Sequence, residues 1–276
     1  MKRILTAIVA LPILLFTVWS PAPYFFVALS ALAILLALHE FYALASKVGA
    51  RAFAFCGYAA AAAVVACFVF QSPQWIVAVI AALAIVALAA SLSRADDMGA
   101  ALSSVSATVF GVVYIALLAG FLIGVRMLAD AFARAAIPHL SSKLLTMFFA
   151  MVMMTDTGAY YTGRTVGRHK LAPRISPGKT IEGSIGGLIS AIITGPLCKL
   201  IFFPEIPIVH AAALGAAIGV IGQIGDLAES LLKRGAGVKD SGALLPGHGG
   251  MLDRVDSILF CAPLLYYYSI LFLPGW

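Results

Sequence analysis

Nine apolar runs, each close to the ~20 residues a helix needs to cross a bilayer core of about 30 Å, recur along a chain of 276 residues. They lie near residues 4–20, 23–43, 53–70, 74–92, 105–124, 143–163, 183–203, 208–225 and 257–273. Turn chemistry or charge separates them, as in SPAP at 20–23, QSPQ at 71–74 and FPEIP at 203–207. With 62% hydrophobic and 11% charged residues, the chain has too little polar surface for a water-soluble globule, which is about 45–50% apolar and 25% charged. The expected fold is an all-α integral membrane protein of about nine transmembrane helices. It forms one polytopic domain over 1–276, with N-terminal spans at about 4–124 and C-terminal spans and loops at about 143–273. The alanine-rich third and fourth runs are expected to be inner, protein-facing helices. No internal repeat and no low-complexity tail is present.

The excess of Lys and Arg in cytoplasmic loops sets the orientation. With the N-terminus inside, 14 of the 18 Lys and Arg fall on the cytoplasmic side and only Arg126, Arg134, Lys143 and Lys199 fall outside. The expectation is a multi-pass protein of the cell (inner) membrane, N-terminus in, with Arg126 in an outer loop near 125–142. The first run follows Lys2 and Arg3 as a signal peptide would; no small-x-small site follows it, so its retention is expected. Cys56, Cys67, Cys198 and Cys261 lie scattered in apolar stretches without metal-ligand or redox spacing.

A formal charge of +6 suits nucleic acid, anionic lipid or phosphorylated substrates. Its placement decides for small phosphorylated molecules at a membrane face, with no nucleic-acid partner expected. Two inside segments, Thr155–Gly187 and Gly225–Ser257, hold nine of the 14 inside cations and seven of the 12 acids, amid abundant glycine.

Asp226 sits at the inner end of the eighth run, where charge is costly unless partnered or hydrated. Asp253 and Asp256 are three apart and share a helix face at the start of the ninth run, where the helix dipole favours carboxylates. They either cap that helix or, with Asp226, bind divalent metal. Magnesium takes hard oxygen ligands, often one or two carboxylates plus substrate phosphates, and three acids suit one ion or two. Lys233 and Arg234 end the helix of Asp226, while Lys239, Asp240 and Arg254 flank the turn GHGG. Gly249 and Gly250 let backbone N–H groups approach phosphate; His248 touches phosphate or fills the turn. In the first segment Ser176, Lys179, Thr180 and Glu182 offer hydroxyls, a cation and an acid without matching the P-loop spacing. Asp156 is an intramembrane acid, hence a substrate-site candidate, or else the partner of Arg164. His39 and Glu40 read as interfacial polar residues.

These two segments resemble the phosphatidate cytidylyltransferase (CDP-diacylglycerol synthase) family. The likeness rests on Ser230-Leu-Leu-Lys233-Arg234, then Lys239-Asp240-Ser-Gly242, then Leu245-Pro246-Gly-His248-Gly249-Gly250-Met-Leu-Asp253-Arg254-Val-Asp256, with Asp156-Thr-Gly-Ala-Tyr160 and Ile175-Ser-Pro-Gly-Lys179-Thr-Ile-Glu182-Gly183 upstream. It covers roughly a quarter of the chain. The resemblance implies a helical membrane enzyme, commonly a homodimer, that condenses CTP with phosphatidic acid to give CDP-diacylglycerol and pyrophosphate. It implies Asp226, Asp253 and Asp256 as acids binding Mg2+, a K+ ion beside it, and Lys233, Arg234, Lys239 and Arg254 on nucleotide or lipid phosphate. The alternatives are a CTP-dependent transferase or kinase acting on another lipid such as a polyprenol and, from another class, an anion transporter. Transport sites lie near the midplane on interrupted helices, whereas the polar density here lies between spans.

Overall fold

The computed structural model describes residues 2–93, 98–132, 137–242 and 249–272. Among these, the helices are α1 (Lys2–Trp19), α2 (Tyr24–Lys47), α3 (Ala54–Val69), α4 (Ile76–Ser91), α5 (Met98–Gly111), α6 (Leu118–Phe132), α7 (Leu140–Val166), α8 (Ile181–Ile201), α9 (Ile208–Gly235) and α10 (Leu252–Phe272). A π-helical stretch, Val112–Leu117, carries α5 into α6. Among the described residues six stretches are long and apolar enough to cross a membrane: Tyr24–Lys47, Pro73–Ser91, Met98–Met127, Ile181–Ile201, Ile208–Gly235 and Leu252–Phe272. Ala10–Trp19 and Ala54–Val69 are shorter apolar helices. The chain is thus an all-α integral membrane protein. Its non-helical feature is a small antiparallel hairpin, β1 (Lys170–Ala172) and β2 (Ser176–Thr180), in the register Lys170↔Thr180 and Ala172↔Ser176.

The chain divides into two compact units. The first comprises Met1–Leu128 and Lys233–Val255. Its innermost stretch is Met98–Met127, 67% buried, whereas Pro73–Ser91 is 17% buried and only Ile76, Leu83 and Ala87 of α4 are covered. The alanine-rich fourth run is therefore not an inner helix, contrary to expectation. Lipid is as apolar as a protein core, so alanine content does not tell the two environments apart. Polar ties fix the inner helix: Tyr42 donates to the Thr108 carbonyl at 3.1 Å, and the Phe53 amide donates to Thr108 Oγ1 at 2.8 Å. Helix α6 continues to Phe132, so Arg126 is helical and buried, donating from Nη2 to the Ser20 carbonyl at 2.7 Å. The expected outer loop begins later than hydropathy placed it, because one guanidinium can be buried when a carbonyl receives it.

The second unit comprises Ala129–Leu232 and Asp256–Trp276. Close helix approach dominates it, as small residues allow in membranes. A Cβ on Gly187 of α8 would lie 2.7 Å from the Thr155 carbonyl oxygen of α7. Gly187→Ala should therefore cost about 1–3 kcal/mol, read as a lowered melting temperature in detergent. Gly99→Ala is the control, since its Cβ would meet nothing within 4 Å and melting should not fall.

Both polar segments begin as helix. Helix α7 runs on to Val166 and α9 to Gly235. Lys233 and Arg234 fill the last turn of α9, where cations suit the negative end of the dipole. Gly237, at φ +69°, takes the left-handed position that terminates helices, with its amide on the Arg234 carbonyl at 3.0 Å.

Candidate active site

In the second unit α7, α8, α9 and the hairpin enclose a cavity of about 580 Å³. Its polar lining includes Asp156, Tyr160, Arg164, Ser176, Lys179 and Asp226, with Thr180, Gly183 and Gln223 behind them. Local structure explains this convergence. Thr180 closes β2 and caps α8, its hydroxyl accepting from the Gly183 amide at 3.1 Å. The preceding residue, Lys179, thereby reaches across to α9 and pairs with Asp226 at 2.5 Å. Both side chains stay partly exposed, at 27% and 32%. Gln223 ties the helices behind the cavity, donating to the Ser184 carbonyl of α8 at 3.1 Å. Arg164 donates to the Tyr160 hydroxyl at 2.9 Å, which places its cation along the α7 side of the cavity.

Glu182 has a different position from its neighbours in sequence. It is not among the cavity residues. Its carboxylate accepts from the Arg168 amide at 3.0 Å, the His169 amide at 3.2 Å and His169 Nδ1 at 2.6 Å, which anchors the hairpin's first strand to the start of α8. Asp256, in α10, is partly buried, and its Oδ1 accepts from the Ser257 amide at 2.6 Å. Gly225, beside Asp226, packs so closely on α10 that a Cβ there would lie 2.9 Å from the Asp256 carbonyl oxygen.

In the first unit a second polar cluster centres on Asp253. Lys233 meets Asp253 Oδ1 at 2.5 Å, with only 12% and 6% of the two side chains exposed. Asp253 Oδ2 accepts from the Ser241 amide at 3.0 Å, the Ser241 hydroxyl at 3.0 Å and the Gly250 amide at 2.7 Å. Gly249 adopts φ +77°, a left-handed backbone that glycine takes without strain. Beneath this cluster lies Glu40, only 2% exposed. Its Oε1 accepts from the Met251 amide and its Oε2 from the Leu252 amide and the Ser241 hydroxyl, each at 2.9 Å. The interfacial reading of Glu40 is thus corrected, while His39 beside it is exposed and meets the Tyr58 hydroxyl at 3.2 Å. An acid near the end of an apolar run marks Glu40 as a candidate without indicating its partners. Ser241, an uncharged residue of the second segment, carries no comparable signal, yet it bonds to both Glu40 and Asp253. Arg234, Lys239, Asp240 and Arg254 are exposed, Arg234 donating to the Val238 carbonyl at 3.1 Å. His248 lies outside the described residues.

Among the described residues no three His, Cys, Asp or Glu side chains gather as a ready-made metal site. The acids nonetheless have the donor chemistry of a hard-cation site. Asp226 and Asp253 each hold a lysine ammonium at 2.5 Å.

Residues 1–272 match the sequence model of the Cytidylyltransferase family. A phosphatidate cytidylyltransferase of Bacillus subtilis (strain 168) is 47% identical over 131 residues, covering 47% of this chain and 49% of the relative. One from Staphylococcus saprophyticus is 52% identical over 118 residues, 42% of this chain and 45% of the relative. One from Synechocystis is 48% identical over 128 residues, covering 46% and 43% respectively. In each comparison the chain spans a little under half the length of the relative it matches.

Proposed function

Since the chain belongs to the cytidylyltransferase family, we propose that it transfers a cytidylyl group from CTP to phosphatidic acid, giving CDP-diacylglycerol and pyrophosphate. The observation that carries the reading is the cavity of the second unit, where Lys179, Arg164, Asp226 and Ser176 line one space in an otherwise apolar bundle. The names of the relatives support the choice of phosphatidate as acceptor.

The acceptor phosphate has a second pKa of about 6 and is largely dianionic near neutral pH, so it needs little help from a general base. One of its oxygens attacks the α-phosphorus of CTP. The bond to the bridging oxygen of the β-phosphate breaks, and pyrophosphate leaves with the electron pair. The obstacle is repulsion between two anions and charge on the leaving group, which positioning and electrostatics overcome. Lys179 and Arg164 offset that charge in the cavity, with Lys233, Arg234, Lys239 and Arg254 as the further cations of the second segment. Tyr160, Ser176 and Thr180 supply hydroxyls beside them. No covalent enzyme intermediate is required.

Magnesium is the proposed cofactor, and the family resemblance names Asp226, Asp253 and Asp256 as its acids; potassium is proposed on that resemblance alone. Bound magnesium would neutralise triphosphate charge and stabilise the departing pyrophosphate. In the cavity, an entering phosphate would compete for the ammonium group of Lys179, releasing the Asp226 carboxylate it holds. Chelation by EDTA should abolish turnover and added magnesium restore it, whereas magnesium-independent turnover would remove the metal from the proposal.

The cytoplasmic placement of the site is part of the proposal, supported by the 14 of 18 cations assigned to that side. So is a homodimer, testable by the mass of the detergent-solubilised protein. The reaction itself is tested with CTP labelled on either the α- or the γ-phosphate. Label from the α-position in the lipid product is expected. Label from the γ-position would instead make the protein a CTP-dependent lipid kinase.

A further inference from the structure

We infer that Glu40 is the positioning residue of the Ser241–Asp253 cluster, the acid through which α2 sets the geometry of the second polar segment; the inference rests on the proposed cytidylyl transfer. Glu40 comes from the run that hydropathy marks only as a span, yet it is one of the most deeply buried charged side chains described, at 2% exposure. Its two oxygens take three donors from residues more than 200 positions away: the Ser241 hydroxyl, the Met251 amide and the Leu252 amide. Two of those are amides at the start of α10, which no backbone carbonyl of that helix can satisfy, and the dipole there favours a carboxylate.

The link to Asp253 is direct. The Ser241 hydroxyl stands 2.9 Å from Glu40 and 3.0 Å from Asp253, while its amide also donates to Asp253. A hydroxyl carries one proton, so Ser241 donates it to one carboxylate at a time and couples the two. Asp253 keeps the amides of Ser241 and Gly250 in either case. Fixing Ser241 and the first residues of α10 therefore fixes the direction in which Asp253 and its partner Lys233 point. Glu40 also accounts for two glycines of the pattern. A Cβ on Gly242 would lie 2.6 Å from Glu40 Oε1, and one on Gly250 would collide with Ser241 and Glu40. The backbone is pressed against this carboxylate on both sides of the segment.

The test uses the full chain in detergent and compares Glu40→Gln, Glu40→Ala, Ser241→Ala and the double variant Glu40→Gln/Ser241→Ala. Glu40→Gln preserves size but turns its NH2 group on either the Met251 or the Leu252 amide, so it should melt below the wild type, while kcat per folded molecule falls about 10–100-fold and the KM values for CTP and phosphatidate stay put. Adding Ser241→Ala should cost little more, because the two residues act as one chain of bonds. In Glu40→Ala, hydrogen exchange at the Met251 and Leu252 amides should accelerate. Wild-type kcat in a folded Glu40→Gln protein would overturn the inference. So would a kcat that merely tracks the folded fraction across the series. If the wild type itself proves inactive on phosphatidate, the functional reading fails separately. Exchange then decides: unchanged protection at Met251 and Leu252 in Glu40→Ala would sink the Glu40 inference, and lost protection would sustain it.

Discussion

Asp253→Asn is expected to reduce turnover on the order of 10³-fold, as removal of a preorganised electrostatic group does, and to destabilise the fold. The carboxylate presents one oxygen to the Lys233 ammonium and the other to three donors, two amides and a hydroxyl. Asparagine has only one acceptor atom. Whichever way it turns, its NH2 group faces either the ammonium or the amides. With 6% of the Asp253 side chain exposed, water does not relieve the conflict. Breaking a buried pair by removing one partner costs about 3–5 kcal/mol. The variant should therefore show a lowered melting temperature in detergent, with pyrophosphate release down by the same factor of about 10³. A variant with wild-type melting and turnover would mean that the cluster is neither structural nor catalytic.

Lys179→Met should separate these two effects. Its ion pair with Asp226 is open to solvent, at 27% and 32% exposure, and pairs of that kind contribute only about 0–1 kcal/mol to stability. Melting should stay close to wild type. A charge-assisted bond to a substrate phosphate contributes about 1.5–3 kcal/mol, so kcat/KM should fall roughly 10–100-fold. The two substitutions thus distinguish a cation that serves the substrate from an acid that also supports the fold. Unchanged kcat/KM for Lys179→Met would place the phosphate site outside the cavity lined by α7, α8 and α9.

Much of this was legible in the chain. Long uncharged runs fix the helical membrane class, because only helices and closed barrels satisfy every backbone group in lipid. The two glycine- and charge-rich segments supplied Asp226, Asp253, Lys179 and Lys233, the residues that form the shortest ion pairs of the two clusters. The pairings were not legible. Asp226 and Lys233 were legible as one helix, but Lys179 belongs to a hairpin whose short strands leave no hydropathy signal. Glu40 was misread for a related reason: an acid near the end of an apolar run has the same sequence whether it faces headgroups or the inside of the fold. The donors that decide the matter lie more than 200 residues downstream. Which face of each span is inner was equally hidden. Packing against lipid and against protein asks the same apolarity of a side chain, as the exposed alanines of α4 show.

Cytidylyl transfer to phosphatidate is decided by pyrophosphate release from the full chain in detergent with CTP and magnesium, with and without phosphatidic acid. Release that depends on phosphatidate and is matched by CDP-diacylglycerol in the lipid fraction is expected. A well-folded protein that releases no pyrophosphate under these conditions, or releases as much without phosphatidate, would contradict it.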